Sequence, residues 1–300
     1  MSPTSAVSPD FATYVYKVVD GCEIRADVVG ATRASTKPCV MWIHGGGLIF
    51  GSRKGSPRAS FLGSLITRGF VVVSIDHRLA PETKLPGIMQ DINDAWRWTH
   101  EQGPKLFGVD PERIAMAGGS AGAYLALMSG YMLRPSPRVI ASFWGFGDIT
   151  APWEADPSEF YRRMRIVSKQ EADRFVGTAP VSEPPHDDRD YFYLYCRQQG
   201  QWLAEVTGHD PRGEDGWFNP WCPIRNIAAT YPPTILVHGT LDTDVPHEES
   251  KKLAARFAQL GVRHEFISLE GVGHGFAGAQ PDDVERTEVA VAAFLETNVG

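Results

Sequence analysis

The sequence lacks the features that mark metal-binding, membrane-spanning and nucleic-acid-binding proteins. It has few cysteines, and none of them lies in a CxxC pair or at another spacing typical of metal ligands. The four are Cys22, Cys39, Cys196 and Cys222. No run of lysine and arginine occurs and the formal net charge is −7, so nucleic acids and anionic membranes are excluded as expected partners. No apolar stretch reaches the roughly 18 residues of a membrane span.

A targeting signal is also missing. Residues 1–16, MSPTSAVSPDFATYVY, contain no basic start followed by an apolar stretch, so no signal peptide is predicted. We therefore expect a cytoplasmic protein whose cysteines are reduced thiols. No internal repeat is visible, and a chain of 300 residues with 43% hydrophobic content can bury one large core. The expectation is a single domain over residues 1–300.

Short apolar runs alternate with segments of helical periodicity. The predicted strands are 14–19, 23–29, 39–43, 71–75, 113–118, 139–144, 234–239 and 264–269. The predicted helices lie within 56–69, 88–99, 123–133, 247–260 and 282–297. Continuously apolar strands are typical of a sheet covered on both faces. The pattern predicts an α/β fold with a mostly parallel, twisted sheet and helices on both sides.

Residues 146–220 interrupt this alternation. They are rich in Trp, Tyr and Phe set among Pro, Asp and Arg, and the stretch YFYLYCRQQGQWLAEV has helical character. A segment this long inside a compact domain is usually a functional insertion. Because open sheets bind ligands at the carboxyl ends of their strands, where this segment begins, we expect a lid. The alternative is a packed excursion with no role in binding.

The stretch Gly118-Gly119-Ser120-Ala121-Gly122 matches the pattern G-x-S-x-G. It follows a predicted strand and precedes a predicted helix, which is the context of a nucleophile elbow rather than of an ordinary glycine-rich turn. In such an elbow the serine hydroxyl is exposed on a sharp turn, and the helix N-terminus points at the site. The pattern therefore nominates Ser120 as a nucleophile.

A second glycine-rich loop, His44-Gly45-Gly46-Gly47, leaves the end of a buried strand. Acyl transfer builds negative charge on a carbonyl oxygen, and backbone N–H groups aimed at that oxygen stabilise it. Glycine suits the loop because a Cβ would hold the substrate carbonyl away from the amides. We assign His44 to support of the loop by hydrogen bonding.

A serine nucleophile needs an imidazole to accept its proton. Among nine histidines, His274 is distinguished by a glycine-flanked loop directly after a predicted strand. His238 lies within a strand and is interpreted as a core histidine. The orienting acid is expected between serine and histidine in the chain, and HGTLDTDVP offers Asp242 and Asp244. We prefer Asp242, which is closer to the strand end, and interpret Asp244 as a cap of the following turn or helix.

Together these motifs resemble the hormone-sensitive-lipase-like esterases of the α/β-hydrolase fold. The matching stretches are His44–Gly47, DHRLAPE (76–82), LFGVDPERIAMAGGSAG and His274-Gly275-Phe276, spanning about 37–130 and 230–297. The resemblance implies Ser120, Asp242 and His274 as the catalytic triad. It implies the amides of Gly46, Gly47 and Ala121 as the oxyanion hole. Asp76, Arg78 and Glu82 would be structural.

The resemblance implies a serine hydrolase that cleaves carboxylic esters, without cofactor or metal. The aromatic-rich insertion 146–220 predicts small to medium, hydrophobic or aromatic esters. Amides, lactones and thioesters are alternative substrates, and a lyase or cyclase on the same triad is an alternative activity. A hydrolase-like ligand receptor is less favoured because such receptors lack the histidine. A homodimer through the last strand and helix is an open alternative by analogy.

Three features depart from the family pattern. The family usually carries an N-terminal helical cap, whereas here strands are predicted from residue 14. His77 replaces the tyrosine of the family signature D-Y-R-L-A-P-E. After the predicted strand 234–239, which precedes the candidate acid, this chain has DTDVPHE where the family often has D-P-L-x-D. The substrate pocket is therefore not carried over from the family.

Overall fold

The computed structural model describes residues 11–32, 34–55, 57–184 and 187–300. Residues 1–10, where no signal peptide is predicted, and His186 lie outside this part. The described chain forms one sheet of eight strands. The strands are β1 (Ala12–Val19), β2 (Cys22–Val29), β3 (Lys37–Ile43), β4 (Val71–Ile75), β5 (Val109–Gly119), β6 (Ile140–Phe143), β7 (Thr234–Gly239) and β8 (His264–Leu269).

The sheet is antiparallel at one edge and parallel elsewhere. Its strand order is β1-β2-β4-β3-β5-β6-β7-β8, with β1–β2 and β2–β4 antiparallel and all other neighbours parallel. Asp20 and Gly21 connect the first two strands with φ of 50° and 80°, as a two-residue hairpin turn requires. The predicted mostly parallel sheet is confirmed. All eight predicted strands are present.

Helices cover both faces. Those outside the β6–β7 connection are α1 (Ala59–Thr67), α2 (Leu85–Phe107), α3 (Ala121–Met132), α11 (Glu248–Leu260) and α12 (Pro281–Val299). Alternate residues of β3 enter two separate cores. Met41 packs in the core that includes side chains of α2, α3 and α11, whereas Trp42 packs in the core that includes side chains of α1 and α12. This alternation is the direct result of the two-residue period of a strand.

Seven short helices occupy the connection between β6 and β7, which contains residues 146–220. They are α4 (Pro152–Ala155), α5 (Glu159–Arg162), α6 (Lys169–Ala172), α7 (Asp190–Gln199), α8 (Trp202–Thr207), α9 (Pro211–Phe218) and α10 (Pro223–Asn226). The predicted helical stretch 191–206 forms two helices, because Gly200 adopts the left-handed conformation at φ 66° and ends α7. Phe192 and Trp202 are buried in the core on the α2–α3 side, so the segment is packed onto the sheet rather than extended into solvent.

Backbone segments approach each other very closely where β5 turns into α3. A Cβ on Gly118 would lie 2.4 Å from the Gly122 oxygen, and a Cβ on Gly122 would lie 2.2 Å from the Ile43 oxygen. Both neighbours are backbone atoms, which cannot rotate away. Only glycine at these two positions lets the start of α3 pack against the end of β3.

Because of this contact, we expect one added methyl group to lower the stability of the fold strongly. We expect Gly122→Ala to lower the free energy of unfolding by about 3 kcal/mol or more, because the clash forces a backbone shift. Gly63 is the matched control, since it is an exposed glycine in α1 with no neighbouring atom within 4 Å of an added Cβ. Gly63→Ala should raise stability by about 0.5–1 kcal/mol. Urea unfolding curves of both variants measure the two effects, and equal stabilities would contradict the packing described here.

Candidate active site

Ser120 lies at the apex of the turn between β5 and α3. Its backbone has φ 56° and ψ −123°, a conformation that a residue with a side chain rarely adopts and that costs about 1–3 kcal/mol. The turn is held on both sides, because the Ser120 N–H donates to the Phe143 carbonyl at 2.9 Å and the Tyr124 N–H donates to the Ser120 carbonyl at 3.0 Å. The Ser120 side chain faces a cavity at the carboxyl ends of the strands.

Backbone strain is concentrated around this cavity. Of the five non-glycine residues with positive φ in the described ranges, Leu48, Ser120, Trp144 and Phe276 all follow the carboxyl ends of strands that meet here. The fifth, Asp20, lies in the β1–β2 turn. Such outliers persist only where the surrounding packing enforces them, and they cluster at functional sites.

The loop Gly45–Gly47 lies directly beside Ser120. A Cβ on Gly45 would lie 2.9 Å from the Gly119 oxygen, so the two glycine-rich turns are in backbone contact. The carbonyls of Gly46 and Gly47 are engaged: the Gly46 oxygen accepts from the N–H groups of Ile49 and Phe50, each at 2.9 Å, and the Gly47 oxygen accepts from Trp202 Nε1 at 2.8 Å. Gly46 and Gly47 both line the cavity. Ala121 is in the first turn of α3, where backbone N–H groups have no intrahelical acceptor.

His44 lies beneath this loop rather than in the cavity lining. Its Nδ1 is 2.7 Å from the Gly45 oxygen, and its ring stacks on His77 with centroids 4.4 Å apart. Burial lowers the pKa of His44 to about 4, and burial likewise lowers the pKa of His77. Both rings are therefore neutral at pH 7 and serve as packing and support.

His274 faces the same cavity as Ser120 and is paired with an acid. Its Nδ1 donates to Asp242 Oδ2 at 2.7 Å. Burial lowers the pKa of His274, but the hydrogen bond to Asp242 and the charge of Asp244 outweigh it and raise the pKa above its ordinary value. With Nδ1 protonated and bound to the acid, Nε2 is the nitrogen left to accept a proton.

Asp242 is the most strongly held side chain of the group. Its Oδ1 accepts from the N–H groups of Asp244 and Val245, each at 2.9 Å. Burial would raise the pKa of Asp242, but hydrogen bonds from His238, His274 and the Val245 N–H hold it well below its ordinary value. The acid is therefore ionised at neutral pH.

His238 has a role that the sequence did not indicate. It is fully buried in β7, as predicted for a core histidine, yet its Nε2 also lies 3.2 Å from Asp242 Oδ2 and 3.0 Å from the Val245 oxygen. Its Nδ1 accepts from the Ser250 hydroxyl at 2.7 Å. His238 thus donates to Asp242 and is itself oriented by the Ser250 hydroxyl. This pair of contacts holds the Asp242 carboxylate in place.

Asp244 does not cap the following turn or helix, contrary to the prediction. The capping acceptor is Asp242, and α11 begins after His247. Instead, Asp244 Oδ1 accepts from the Tyr193 hydroxyl at 2.7 Å, and its Oδ2 lies 3.7 Å from His274 Nε2. Asp244 thus lines the cavity on the side of the β6–β7 connection.

The acidic and basic residues of the DHRLAPE segment form buried ion pairs. Asp76 receives the Arg53 backbone N–H at 2.7 Å and its guanidinium at 2.5 Å, and Arg78 pairs with Asp91 at 2.8 Å. Glu82 accepts from Arg189, at 3.0 Å for Nη1, and Arg189 also donates to the Ile49 oxygen at 2.6 Å. Arg189 thereby ties the β6–β7 connection to the loop that follows Gly47.

The cavity has a volume of about 330 Å³, at the small end for ligand sites. Its walls are mainly aromatic, and its polar groups are few. The side chains that line it include Trp42, Phe50, Arg58, Phe61, Ser120, Phe143, Trp144, Tyr193, Asp244, His274, Phe276 and Glu288. Across the described ranges, no group of three or more His, Cys, Asp and Glu is arranged to hold a metal ion, and no helix is long and apolar enough to cross a membrane.

Comparison with known proteins gives the following relatives. Among curated proteins, the chain is similar to the non-reducing polyketide synthase Preu6 of Preussia isomera, with 28% identity over 95% of this chain and 14% of the synthase. A second synthase, stbA of Stachybotrys bisbyi, is 26% identical over 91% of this chain and 14% of its own length. The chain thus spans about a seventh of the length of these relatives.

Solved structures share the fold. An alpha/beta hydrolase superfamily protein from Enterococcus faecalis has a TM-score of 0.76 at 21% identity, covering 97% of this chain and 100% of that chain. Carboxyl esterase 2 from the fungus Tuber melanosporum has a TM-score of 0.70 at 20% identity, covering 99% and 89%. The family model for the alpha/beta hydrolase fold matches residues 40–278, which include both glycine-rich loops and the pair Asp242–His274. The chain belongs to the alpha/beta hydrolase fold family.

Proposed function

We propose that this protein is a serine hydrolase that cleaves carboxylic esters through an acyl-enzyme on Ser120, with Asp242 and His274 completing a triad. The observation that carries the proposal is the cavity shared by Ser120, strained at the apex of its turn, and His274, bonded to Asp242 at 2.7 Å. The hormone-sensitive-lipase-like subfamily is part of this proposal, on the motifs His44–Gly47 and Gly118–Gly122.

In the first step, Ser120 Oγ attacks the ester carbonyl and His274 Nε2 accepts the hydroxyl proton. The imidazolium that forms is stabilised by Asp242, whose low pKa keeps it ionised throughout. His274 then donates the proton to the departing alcohol. In the second step, water attacks the acyl-enzyme while His274 accepts its proton. His274 then returns the proton to Ser120 Oγ, and the carboxylic acid is released.

The oxyanion of each tetrahedral intermediate is assigned to the amides of Gly46, Gly47 and Ala121. Two features support this assignment: the backbone contact between the two glycine-rich turns, and the occupied carbonyls of Gly46 and Gly47, which hold the loop in one conformation. A loop already held in place does not reorganise as charge develops. One such donor contributes about 3 kcal/mol to catalysis in other hydrolases.

The β6–β7 connection is proposed to act as a lid over the site. Tyr193 of α7 lines the cavity and donates to Asp244, and Trp202 of α8 donates to the Gly47 oxygen. Both contacts bring the connection to the reacting groups. The aromatic walls and the volume of about 330 Å³ favour a compact, hydrophobic or aromatic substrate.

The proposal is tested with a fluorophosphonate probe and with p-nitrophenyl esters of increasing acyl length. We expect stoichiometric labelling and ester turnover by the wild type, because the activated hydroxyl reacts with both. Both should be lost in Ser120→Ala. The control is Ser129→Ala. Ser129 is a buried serine of α3, the helix that follows Ser120, and its hydroxyl donates to the Leu125 oxygen at 2.9 Å. This variant should keep both signals.

Other outcomes identify other activities. Labelling without turnover of esters, amides, lactones or thioesters would contradict hydrolysis and favour a lyase or cyclase. The absence of both signals in folded wild-type protein would favour a ligand receptor.

Thioester cleavage on the same residues is the second candidate. The similarity to a polyketide synthase over 95% of this chain favours it. Acyl groups that are bound to thiol carriers are thioesters, so an enzyme that releases them cleaves a thioester bond. A matched oxoester and thioester of one acyl group discriminate the two: a higher kcat/KM for the thioester would favour this candidate.

The two candidate acids make different predictions. Asp242→Asn should lower kcat by about 10⁴, because the amide favours the wrong tautomer of His274. Asp244→Asn should instead move the acidic limb of the pH–kcat/KM profile to lower pH. The reason is that the Asp244 charge helps to raise the pKa of His274, which must be neutral to act as base.

Stopped-flow or steady-state assays of the two variants between pH 5 and 9 measure both effects. A larger loss of kcat in Asp244→Asn than in Asp242→Asn would overturn the assignment of the acid.

A further inference from the structure

One buried acid at the cavity has no part in the proposed mechanism. Glu288 lies in α12, on the opposite side of the sheet from the β6–β7 connection, and lines the same cavity as Ser120. The residue is only 1% exposed. Within the part of the chain that the structure describes, no donor reaches either carboxyl oxygen in hydrogen-bond geometry.

The neighbours of Glu288 offset the cost of its burial only in part. Arg58 Nε lies 3.2 Å from Oε1, but the Arg58 side chain is 55% exposed. Burial raises the pKa of Glu288, and the Ser60 hydroxyl and the Arg58 charge offset this only in part. A buried carboxyl whose neighbours offset its burial only in part is costly to the fold, so its position at a cavity indicates a ligand group that completes it.

An aromatic arm of the cavity connects this acid with the reacting groups. The arm is formed by Trp42, Phe61, Phe143, Trp144 and Phe276. Along it, the Trp144 ring lies 5.8 Å from the His274 ring and 4.9 Å from the Phe276 ring, and the Arg58 guanidinium lies 5.8 Å from Phe276. A group that enters the arm from Ser120 therefore passes aromatic faces and meets Glu288.

The chemistry of the arm defines what it accepts. Flat aromatic walls favour a ring, and a cavity of about 150 Å³ already admits benzene, so the volume here accommodates a substituted ring. In either protonation state Glu288 keeps at least one acceptor oxygen, and it therefore binds a hydrogen-bond donor. The positive charge of Arg58 beside it disfavours an ammonium group and leaves a neutral hydroxyl.

We infer that Glu288 is a specificity-determining residue that accepts a hydrogen bond from a hydroxyl group on an aromatic ring, carried by the acyl or alcohol portion of the substrate. This inference rests on the proposed ester hydrolysis, which places the reacting carbonyl at Ser120 and therefore the ring of the substrate toward Glu288. The substrate class is thus a hydroxylated aromatic ester rather than a purely hydrocarbon one.

The test compares esters that differ by one hydroxyl group. On the acyl side, p-nitrophenyl 3-phenylpropanoate is compared with its 3-hydroxyphenyl and 4-hydroxyphenyl analogues. On the alcohol side, 2-phenylethyl acetate is compared with the corresponding hydroxyphenyl esters. We expect wild-type kcat/KM to be at least about tenfold higher for one hydroxylated ester than for its parent, as one hydrogen bond to a carboxylate typically provides.

Variants assign this preference to the carboxyl group. Glu288→Leu should lower the ratio of hydroxylated to parent kcat/KM to about one, whereas Glu288→Gln, which keeps an acceptor oxygen, should retain part of it. Glu285→Gln is the matched control, since Glu285 is an exposed acid one turn earlier in α12, and its ratio should equal that of the wild type. A purely structural role of Glu288 would change stability without changing this ratio.

A binding measurement separates failure of this inference from failure of the proposed function. If the wild type turns over no ester, hydrolysis fails, and titration calorimetry of the same ester pairs with Ser120→Ala still measures recognition. At least about tenfold tighter binding of one hydroxylated ester, lost in Ser120→Ala combined with Glu288→Leu, would support the inference. Equal ratios in wild type and Glu288→Leu, or no preference at any ring position, would overturn it.

Discussion

The active-site end of this molecule depends on one backbone contact, between the end of β3 and the start of α3. Gly122 can approach the Ile43 oxygen because it lacks a Cβ, and Gly45 approaches Gly119 in the same way. The contact sets the loop after β3 beside the turn after β5, so that peptide groups from two parallel strands face one cavity. Parallel strands have their carboxyl ends at one edge of the sheet, and the ligand sites of such sheets form there. The glycines bring the two loops close enough to line one small cavity.

A network of buried charges holds the remaining groups around this contact. Asp242 is surrounded by four donors from β7, from the turn after it and from the His274 loop. On the other side, Arg197 of α7 pairs with Glu154 at 2.6 Å and lies 5.4–5.8 Å from the rings of Trp153, Tyr161 and Tyr193. Breaking one member of a buried pair leaves an uncompensated charge, so these pairs specify one arrangement of the β6–β7 connection. In this arrangement the Tyr193 hydroxyl donates to Asp244, whereas Asp242 is the carboxylate bonded to His274 Nδ1.

The predictable and unpredictable parts of this structure differ in physical origin. The strands and the glycine-rich turns could be predicted because they depend on local rules, namely apolar runs covered on both faces and glycines at sharp turns. Thus β3, β5 and the elbow at Ser120 follow from short stretches of sequence. The contact of His238 with Asp242 could not be predicted, because a buried histidine in a strand has the same local signature whether or not it touches an acid. Glu288 was missed for a related reason. Its burial depends on how α12 packs against α1. In the sequence, nothing distinguishes Glu288 from the other acidic residues of α12.

Backbone strain is concentrated at one edge of the sheet, and this distribution has a physical logic. Four of the five positive-φ side chains within the described ranges follow strands that end there, and the buried residue Glu288 lines the same cavity. Each such feature costs about 1–3 kcal/mol, comparable to a large part of the net stability of a domain. The cost is offset by the two apolar cores on the faces of the sheet, where the side chains of β3, β4 and β5 are almost completely buried. Strain at Ser120 and a buried, only partly compensated carboxyl at Glu288 do not stabilise the fold. In the cavity between them, a hydroxyl group of the proposed ester would complete the hydrogen bonding of the Glu288 carboxyl.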